Sequence, residues 1–267
     1  MDPSGALWIG GGQGSGKTSV AWALSRRFDL QLYIVDRRVW VHEARRVPDE
    51  FASLSLDERW LHATTEQMLE WFVDVSRSRM ELVLEDLAEL PPSPLVIVEG
   101  PQLFPSFVAP LLAAPDQALF LVSPLAEQRE RLLAREGIPG TSDPRRAREH
   151  ATERDLLITQ RFADEARGLG LTTFEVDRPL QPMIERAAEH FAPAISRGPR
   201  GGDLAAVRRF ENEVDATQVR LYRESLGEHA PEGTPIPFAC ECGAPGCDAV
   251  VELPVEEYRA PVLAHLR

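Results

Sequence analysis

Residues 11–18 read Gly11-Gly12-Gln13-Gly14-Ser15-Gly16-Lys17-Thr18 and fit the pattern G-x-x-x-x-G-K-[ST]. Glycines in such a stretch let the backbone curl until successive N–H groups point at phosphate oxygens. A helix starting at its end adds the positive end of its dipole. In this chemistry Lys17 bridges the β- and γ-phosphates and the Thr18 hydroxyl ligates Mg2+, with Ser19 following in the same turn. Of the 29 Lys and Arg residues, only Lys17 is lysine. It stands where a slender ammonium reaches between phosphates and a planar guanidinium does not fit. The loop predicts a nucleoside triphosphate site.

Two carboxylates are candidates to work beside it. Residues 95–100 (LVIVEG) read as a buried strand ending in Glu99, which can orient magnesium through a bound water. Asp36 ends the second strand-like run, nineteen residues after Lys17. In an open α/β sheet that end is the crevice where ligands bind. Arg37 and Arg38 follow and can pair with Asp36 or with an anionic substrate. The competing readings are a surface glutamate and a turn-capping aspartate.

Arg129, Arg131 and Arg135 lie on the helical pattern after the fourth strand-like run. Residues 137–154 (GIPGTSDPRRAREHATER) carry glycine and proline before Arg145, Arg146, Arg148 and Arg154. Phosphoryl transfer develops charge on equatorial oxygens, which arginines closing over the site would stabilise. Arg145 and Arg148 are the candidates; most other arginines in so arginine-rich a chain read as a solvated face. Trp40, Trp60 and Trp71 read as core packing rather than as an aromatic wall for the acceptor.

The elements that must position these groups alternate. Residues 7–9, 32–35, 95–98, 118–122 and 173–176 are short, apolar or β-prone runs separated by helical patterns. This is the rhythm of a parallel sheet covered on both faces. Residues 39–90 are longer than a crossover needs and read as a helical insertion, with Thr65 as a helix cap and Met68, Phe72 and Val75 on one face.

Residues 6–190 resemble the P-loop small-molecule kinases: the adenylate, shikimate, gluconate and nucleoside kinase group, with chloramphenicol phosphotransferase. The resemblance rests on GGQGSGKT, the acid of LYIVD, VIVEG and the arginine-rich segment. It implies an α/β P-loop NTPase three-layer sandwich with a parallel sheet of order 2-3-1-4-5. It also implies ATP and Mg2+ as cofactors and a small-molecule hydroxyl or phosphate as acceptor. For Asp36 it implies alignment of the acceptor hydroxyl and removal of its proton. The base-reading N-K-x-D motif of GTPases cannot occur in a chain whose only lysine is Lys17, and the transporter signature L-S-G-G-Q is absent. Two other readings stay open: an ATP-binding regulatory protein whose C-terminal module engages a protein partner, and a P-loop hydrolase without an acceptor.

The pattern stops at residues 196–202 (SRGPRGG), which divides the chain into a kinase-like domain (1–195), a linker and a C-terminal module (203–267). In the module Asp203 is placed to cap a helix, and residues 249–253 read as a strand. Cys240, Cys242 and Cys247 lie in one glycine-rich turn. Closed zinc sites need four ligands, so the cluster is a candidate structural Zn2+ site with His265 as the favoured fourth ligand. His229 and Asp248 are the alternatives, and a simple turn with unbound thiols is the competing reading. The segment resembles C-terminal F-x-C-E-C-G modules of GC-rich bacterial proteins, a likeness that implies no activity.

Bulk properties set outer bounds. The 267 residues, 43% of them hydrophobic, suffice for one α/β domain and an appendage. A net charge of −13 disfavours duplex nucleic acid as a partner. The opening MDPSGALWIG lacks a signal-peptide pattern, no apolar run suits a membrane span, and three clustered cysteines make no disulfide framework. A cytoplasmic location is expected.

Overall fold

The computed structural model describes residues 2–45, 50–226 and 233–266. β1 (Leu7–Gly11) is buried along its whole length. Its pleat sends Trp8 to one face of the sheet and Leu7 and Ile9 to the other, which is why an unbroken apolar run suits it. The chain continues through α1 (Lys17–Arg27), β2 (Gln31–Ile34) and a 3-10 turn (Val35–Arg38). The stretch read as an insertion holds α2 (Val39–Glu43), α3 (Glu50–Ser53), a π-helical turn (Glu58–His62) and the long α4 (Thr65–Glu89). Then come β3 (Val96–Glu99), α5 (Pro105–Val108), β4 (Ala118–Val122), α6 (Leu125–Leu133), α7 (Pro144–Gly168), β5 (Thr173–Glu175) and α8 (Gln181–Arg197).

The strands form one parallel sheet of order β2-β3-β1-β4-β5, as the resemblance implied. On one face Val73, Met80, Val83 and Leu87 of α4 and Ile158 and Phe162 of α7 pack on Trp8, Tyr33, Val98 and Phe120. On the other, Val20 and Leu24 of α1 and Met183 and Phe191 of α8 cover Leu7, Ile9, Ile97 and Leu121. Phe162 stacks on Phe104 with ring centroids 4.7 Å apart, so Phe162→Ala would cost about 3–5 kcal/mol.

Thr64, not Thr65, caps α4. It forms a capping box in which Gln67 N donates to Thr64 Oγ1 and Thr64 N donates to Gln67 Oε1 at 2.9 Å. The three tryptophans of this region are half-buried rather than core. Trp40 lies beside Tyr222, Trp71 beside Phe51, and the Arg154 guanidinium sits 4.8 Å from the Trp60 ring. All three line a cavity of about 380 Å3 with Glu43, Arg79 and Arg154.

Beyond α8, α9 (Leu204–Leu226) starts at Asp203, whose carboxylate accepts from Ala206 N at 3.0 Å. β6 (Pro235–Ala239) and β7 (Val250–Pro254) form an antiparallel pair over a small core of Ala216, Phe238, Leu253, Val255, Tyr258 and Val262. Residues 198–203 are ordered against the main sheet: Leu95 N donates to Pro199 O, and Ser93 Oγ to Gly201 O. α9 runs along the outer edge of β2, the edge strand of the sheet. Leu32 N donates to Glu211 Oε1 at 2.8 Å, Arg208 donates to Leu30 O at 2.9 Å, and Arg37 meets Asp215 at 2.5 Å.

Candidate functional site

The phosphate loop leaves β1 where the strand's residues are glycines of necessity. A Cβ on Gly12 would fall 1.9 Å from Thr159 Oγ1, and Gly11 has φ +138° with Leu121 O only 2.2 Å from where a Cβ would sit. Gly14 and Gly16 have φ of +72° and +81°, so the loop folds back on itself before α1 begins at Lys17. Gln128, buried on α6, braces the loop by donating to Gln13 O at 2.9 Å.

Lys17 is 5% exposed and its ammonium donates to Gly12 O at 2.9 Å. Burial holds its pKa below the ordinary lysine value, while the charges of Glu99, Asp36 and Asp155 oppose that shift. Glu99, at the end of β3, accepts a hydrogen bond from Thr18 Oγ1 at 2.8 Å. Burial pushes the Glu99 carboxyl up to about 6, against the pull of Lys17 and with the help of Asp36. Asp36 stands exposed in the turn after β2 and accepts from Gln102 Nε2 at 2.8 Å. Ser19 is exposed on the first turn of α1.

The arginines separate by environment. Arg145 has a 91% exposed side chain and pairs loosely with Glu149 at 3.9 Å on the outer side of α7. Arg148 donates to Glu136 O at 2.9 Å and is partly buried; burial first, then the neighbouring Arg135 charge, lowers its pKa. Arg135 lies past the end of α6, not on it, and its guanidinium stands 3.4 Å from the Cβ position of Gly14. Arg129 pairs with Glu153, Arg131 with Glu127 and Ser123, and Arg154 with Asp155 at 2.6 Å. More than half of the segment read as a lid, residues 144–154, is the first turns of α7, which starts at Pro144 with Asp143 as its cap.

Gln102, Gln128, Asp155 and Thr159 are site residues that sequence reasoning missed. Each is buried and reaches the loop or its carboxylates from far along the chain. No local pattern marks them; only the run Glu99-Gly-Pro-Gln102, directly after the candidate metal carboxylate, carried a hint.

The loop fits a triphosphate by an observation of its own. It has a cradle that admits no Cβ at Gly12, and the Ser15 hydroxyl is buried without a hydrogen-bond partner. Thr18 and Glu99, a hydroxyl and a carboxylate already in contact, are an oxygen donor set suited to Mg2+.

The second cluster lies in the C-terminal module. One atom each from Cys240, Cys242, Cys247 and His265 all lie within 4.8 Å of one another, and Cys247 Sγ is 3.4 Å from His265 Nε2. Asp248 is exposed and outside this group, and His229 lies outside the described residues.

A parallel sheet of this order, covered on both faces and opening from β1 into a glycine loop and a helix, defines a P-loop α/β nucleotide-binding fold. The chain is similar to a gluconokinase from Sinorhizobium meliloti 1021, at 20% identity with a TM-score of 0.39, over 73% of this chain and 96% of that one. It is similar to a shikimate kinase from Bacteroides thetaiotaomicron, at 15% identity and a TM-score of 0.39, over 72% of this chain and 98% of that one. No protein-family model matches the chain, and no curated protein is significantly similar to it. Among the described residues no helix is long and apolar enough to cross a membrane.

Proposed function

We propose that this chain is an ATP-dependent phosphotransferase acting on a hydroxyl or phosphate oxygen of a small molecule. The observation that carries the reading is the grouping of Lys17, Glu99 and Asp36 at the carboxyl edge of the sheet. Glu99 is bonded to Thr18 of the loop, and Asp36, braced by Gln102, follows two residues after Ile34, the residue paired with Glu99 in the sheet. A nucleotide site alone needs no second carboxylate there.

The roles follow from the geometry. The loop N–H groups and Lys17 would hold the β- and γ-phosphates and offset their charge. Asp36 would orient the acceptor oxygen for in-line attack and, for a hydroxyl acceptor, accept its proton as the new P–O bond forms and ADP departs. Arg135, beside Gly14 of the loop, and Arg148, near enough to Arg135 for their charges to interact, are better candidates than the exposed Arg145 to meet charge on the transferring group. Magnesium, held by Thr18 and Glu99, would supply charge neutralisation at the phosphate oxygens. The aromatic cavity bounded by Trp40, Trp60 and Arg154 takes its lining from Val39 onward, the residues next in sequence after the Asp36 turn, and would suit a ring-bearing polar acceptor.

One observation favours a second reading, an ATP-binding regulatory protein: α9 is tied to the residue after Asp36 by the Arg37–Asp215 pair, a route from the site to the C-terminal module. ADP release measured against a panel of metabolites and nucleosides separates the two. Turnover that depends on one acceptor supports the phosphotransferase. Slow ATP loss indifferent to every acceptor supports the regulator or a simple hydrolase.

A further inference from the structure

We propose that Cys240, Cys242, Cys247 and His265 bind one Zn2+ as a closed structural site that staples the C-terminal tail to the cysteine turn. The inference does not depend on the phosphotransferase reading.

The geometry points to a tetrahedral ion. Zinc–sulfur bonds of about 2.3 Å and zinc–nitrogen bonds of about 2.0–2.1 Å put tetrahedral sulfurs about 3.8 Å apart, and sulfur and nitrogen about 3.5 Å apart. The Cys247 Sγ to His265 Nε2 separation is 3.4 Å, and all four donor atoms lie within 4.8 Å of one another. Four donors closing on one point leave no open position for substrate, which makes the site structural. Three sulfurs and an imidazole are soft-to-borderline donors that suit zinc and not the oxygen-seeking Mg2+ of the phosphate loop.

The one-residue gap between Cys240 and Cys242 has a structural cause. Glu241 turns the other way, its buried carboxylate accepting from Asn212 Nδ2 and from the Tyr258 hydroxyl. The two flanking thiols are thereby left on the side where Cys247 and His265 arrive. Gly243 and Gly246, each with φ +69°, fold the turn back to deliver Cys247. Three thiolates around a divalent ion leave one negative charge, and backbone N–H groups are aimed at the sulfurs. Ala264 N is 3.4 Å from Cys240 Sγ and Ala244 N is 3.5 Å from Cys242 Sγ.

A staple here has something to hold. The module's core is small, and the chain after β7 has no regular structure until the last turn, Ala264–Leu266. The cysteine turn also touches the main domain, since Gly246 N donates to Asp29 Oδ1 at 2.8 Å. Zinc binding would therefore contribute to the folding of the tail and to the seat of the turn on the domain.

The test is elemental analysis of full-length protein purified without chelators and without added zinc, alongside thiol titration under native conditions. The expected result is a 1:1 zinc-to-chain ratio, three thiols that react only after chelation, and a cobalt-substituted form with the strong visible absorption of a tetrahedral thiolate site. His265→Ala removes an exposed side chain and is not expected to prevent folding; with Cys242→Ser, it should lower retained zinc to a small fraction of the wild-type ratio. Metal-free protein with three freely titrating thiols overturns the proposal, as does a Cys242–Cys247 disulfide in zinc-free protein. Zinc retained at the wild-type ratio in both variants overturns it too, because the ion would then be bound elsewhere.

Discussion

Gln102 Nε2 donates a 2.8 Å hydrogen bond to Asp36 Oδ1, joining the turns that follow two neighbouring strands. Asp36 is exposed and Gln102 is 4% exposed, so the buried amide holds the free carboxylate rather than the reverse. If Asp36 meets the acceptor, Gln102 is its positioning residue. Gln102→Leu is expected to lower acceptor-dependent kcat/KM roughly ten- to a hundredfold, the worth of a hydrogen bond to a charged group. Nucleotide affinity should stay as in wild type. Asp36→Asn should cut the chemical step more deeply, about 10²–10⁴-fold, again with ATP binding retained. Steady-state kinetics with a nucleotide titration check both; wild-type turnover in Asp36→Asn would assign the proton transfer to another group.

Lys17→Ala is expected to remove nucleotide-dependent activity while leaving a folded chain. On the proposed reading the lost ammonium would meet the β- and γ-phosphates, and such a charge is worth about 3–4 kcal/mol in a transition state. Lys17→Arg should fail nearly as badly, because the slot is closed by the Gly12 carbonyl at 2.9 Å. Circular dichroism with an ADP-release assay tests the pair, and full activity in either variant refutes the role given to Lys17.

Gly12 packs against Thr159 so closely that Gly12→Ala must displace one of them. The expected cost is about 1–3 kcal/mol of stability, together with lost nucleotide binding as the loop is pushed out of shape. Thr159→Ala removes the oxygen that the new methyl would strike, so the double variant should recover part of both losses. A double-mutant cycle in urea reads the coupling directly. Additive losses would mean that the loop yields and the helix does not.

Asp86 on α4 gathers Tyr33, His42, Arg38 and Arg45: the Tyr33 hydroxyl donates to it at 2.6 Å and the His42 ring lies at 3.0 Å. Burial pushes its carboxyl up, but hydrogen bonds from His42, Tyr33 and Arg45 outweigh that and hold it well below its ordinary value of 3.8. A depressed carboxylate contributes stability that is fully present above the unfolded value and is lost as pH falls below it. Asp86→Asn should therefore destabilise the protein by about 3 kcal/mol at neutral pH. The gap to wild type should shrink as the pH drops below about 4. Urea midpoints across that range test it; a gap independent of pH would mean that shape, not charge, is what Asp86 supplies.

The phosphate loop and the strands were legible because local chemistry decides them. Glycines permit the loop, and unbroken apolar runs of four or five residues between breakers leave little choice but a buried strand. Residues 118–122 and β4 coincide, and the other strands shift by a residue or two at one or both ends. The parts that stayed hidden depend on partners distant in sequence. Gln128 braces Gln13 across 115 residues, and Arg145 and Arg148, one turn apart on the same side of α7, differ because only Arg148 reaches a tertiary partner, the Glu136 carbonyl. Residues 196–202 read as a bare linker because glycine and proline signal a break, not what lies beside it; their carbonyls in fact receive hydrogen bonds from Ser93 and Leu95.

Glu211 ties α9 to the parallel sheet. Glu211 accepts from Leu32 N and pairs with Arg208 at 2.8 Å and Arg26 at 3.3 Å, all with side chains about nine-tenths buried or more. Removing the one carboxylate leaves two largely buried guanidinium groups without their counter-charge. The cost of breaking such a buried cluster is about 3–5 kcal/mol. By contrast, the Arg167–Asp164 pair is more than seventy per cent exposed at both ends and should contribute almost nothing. Glu211→Ala is therefore expected to lower the thermal midpoint by several degrees, and Asp164→Ala to leave it unchanged. Because Glu211 bonds the backbone of β2, the loss should appear as a downward shift of one transition shared by sheet and module. Calorimetry decides this. Two separate transitions in the wild type, with only the lower one moved by Glu211→Ala, would make residues 203–267 a unit that folds independently of the sheet it covers.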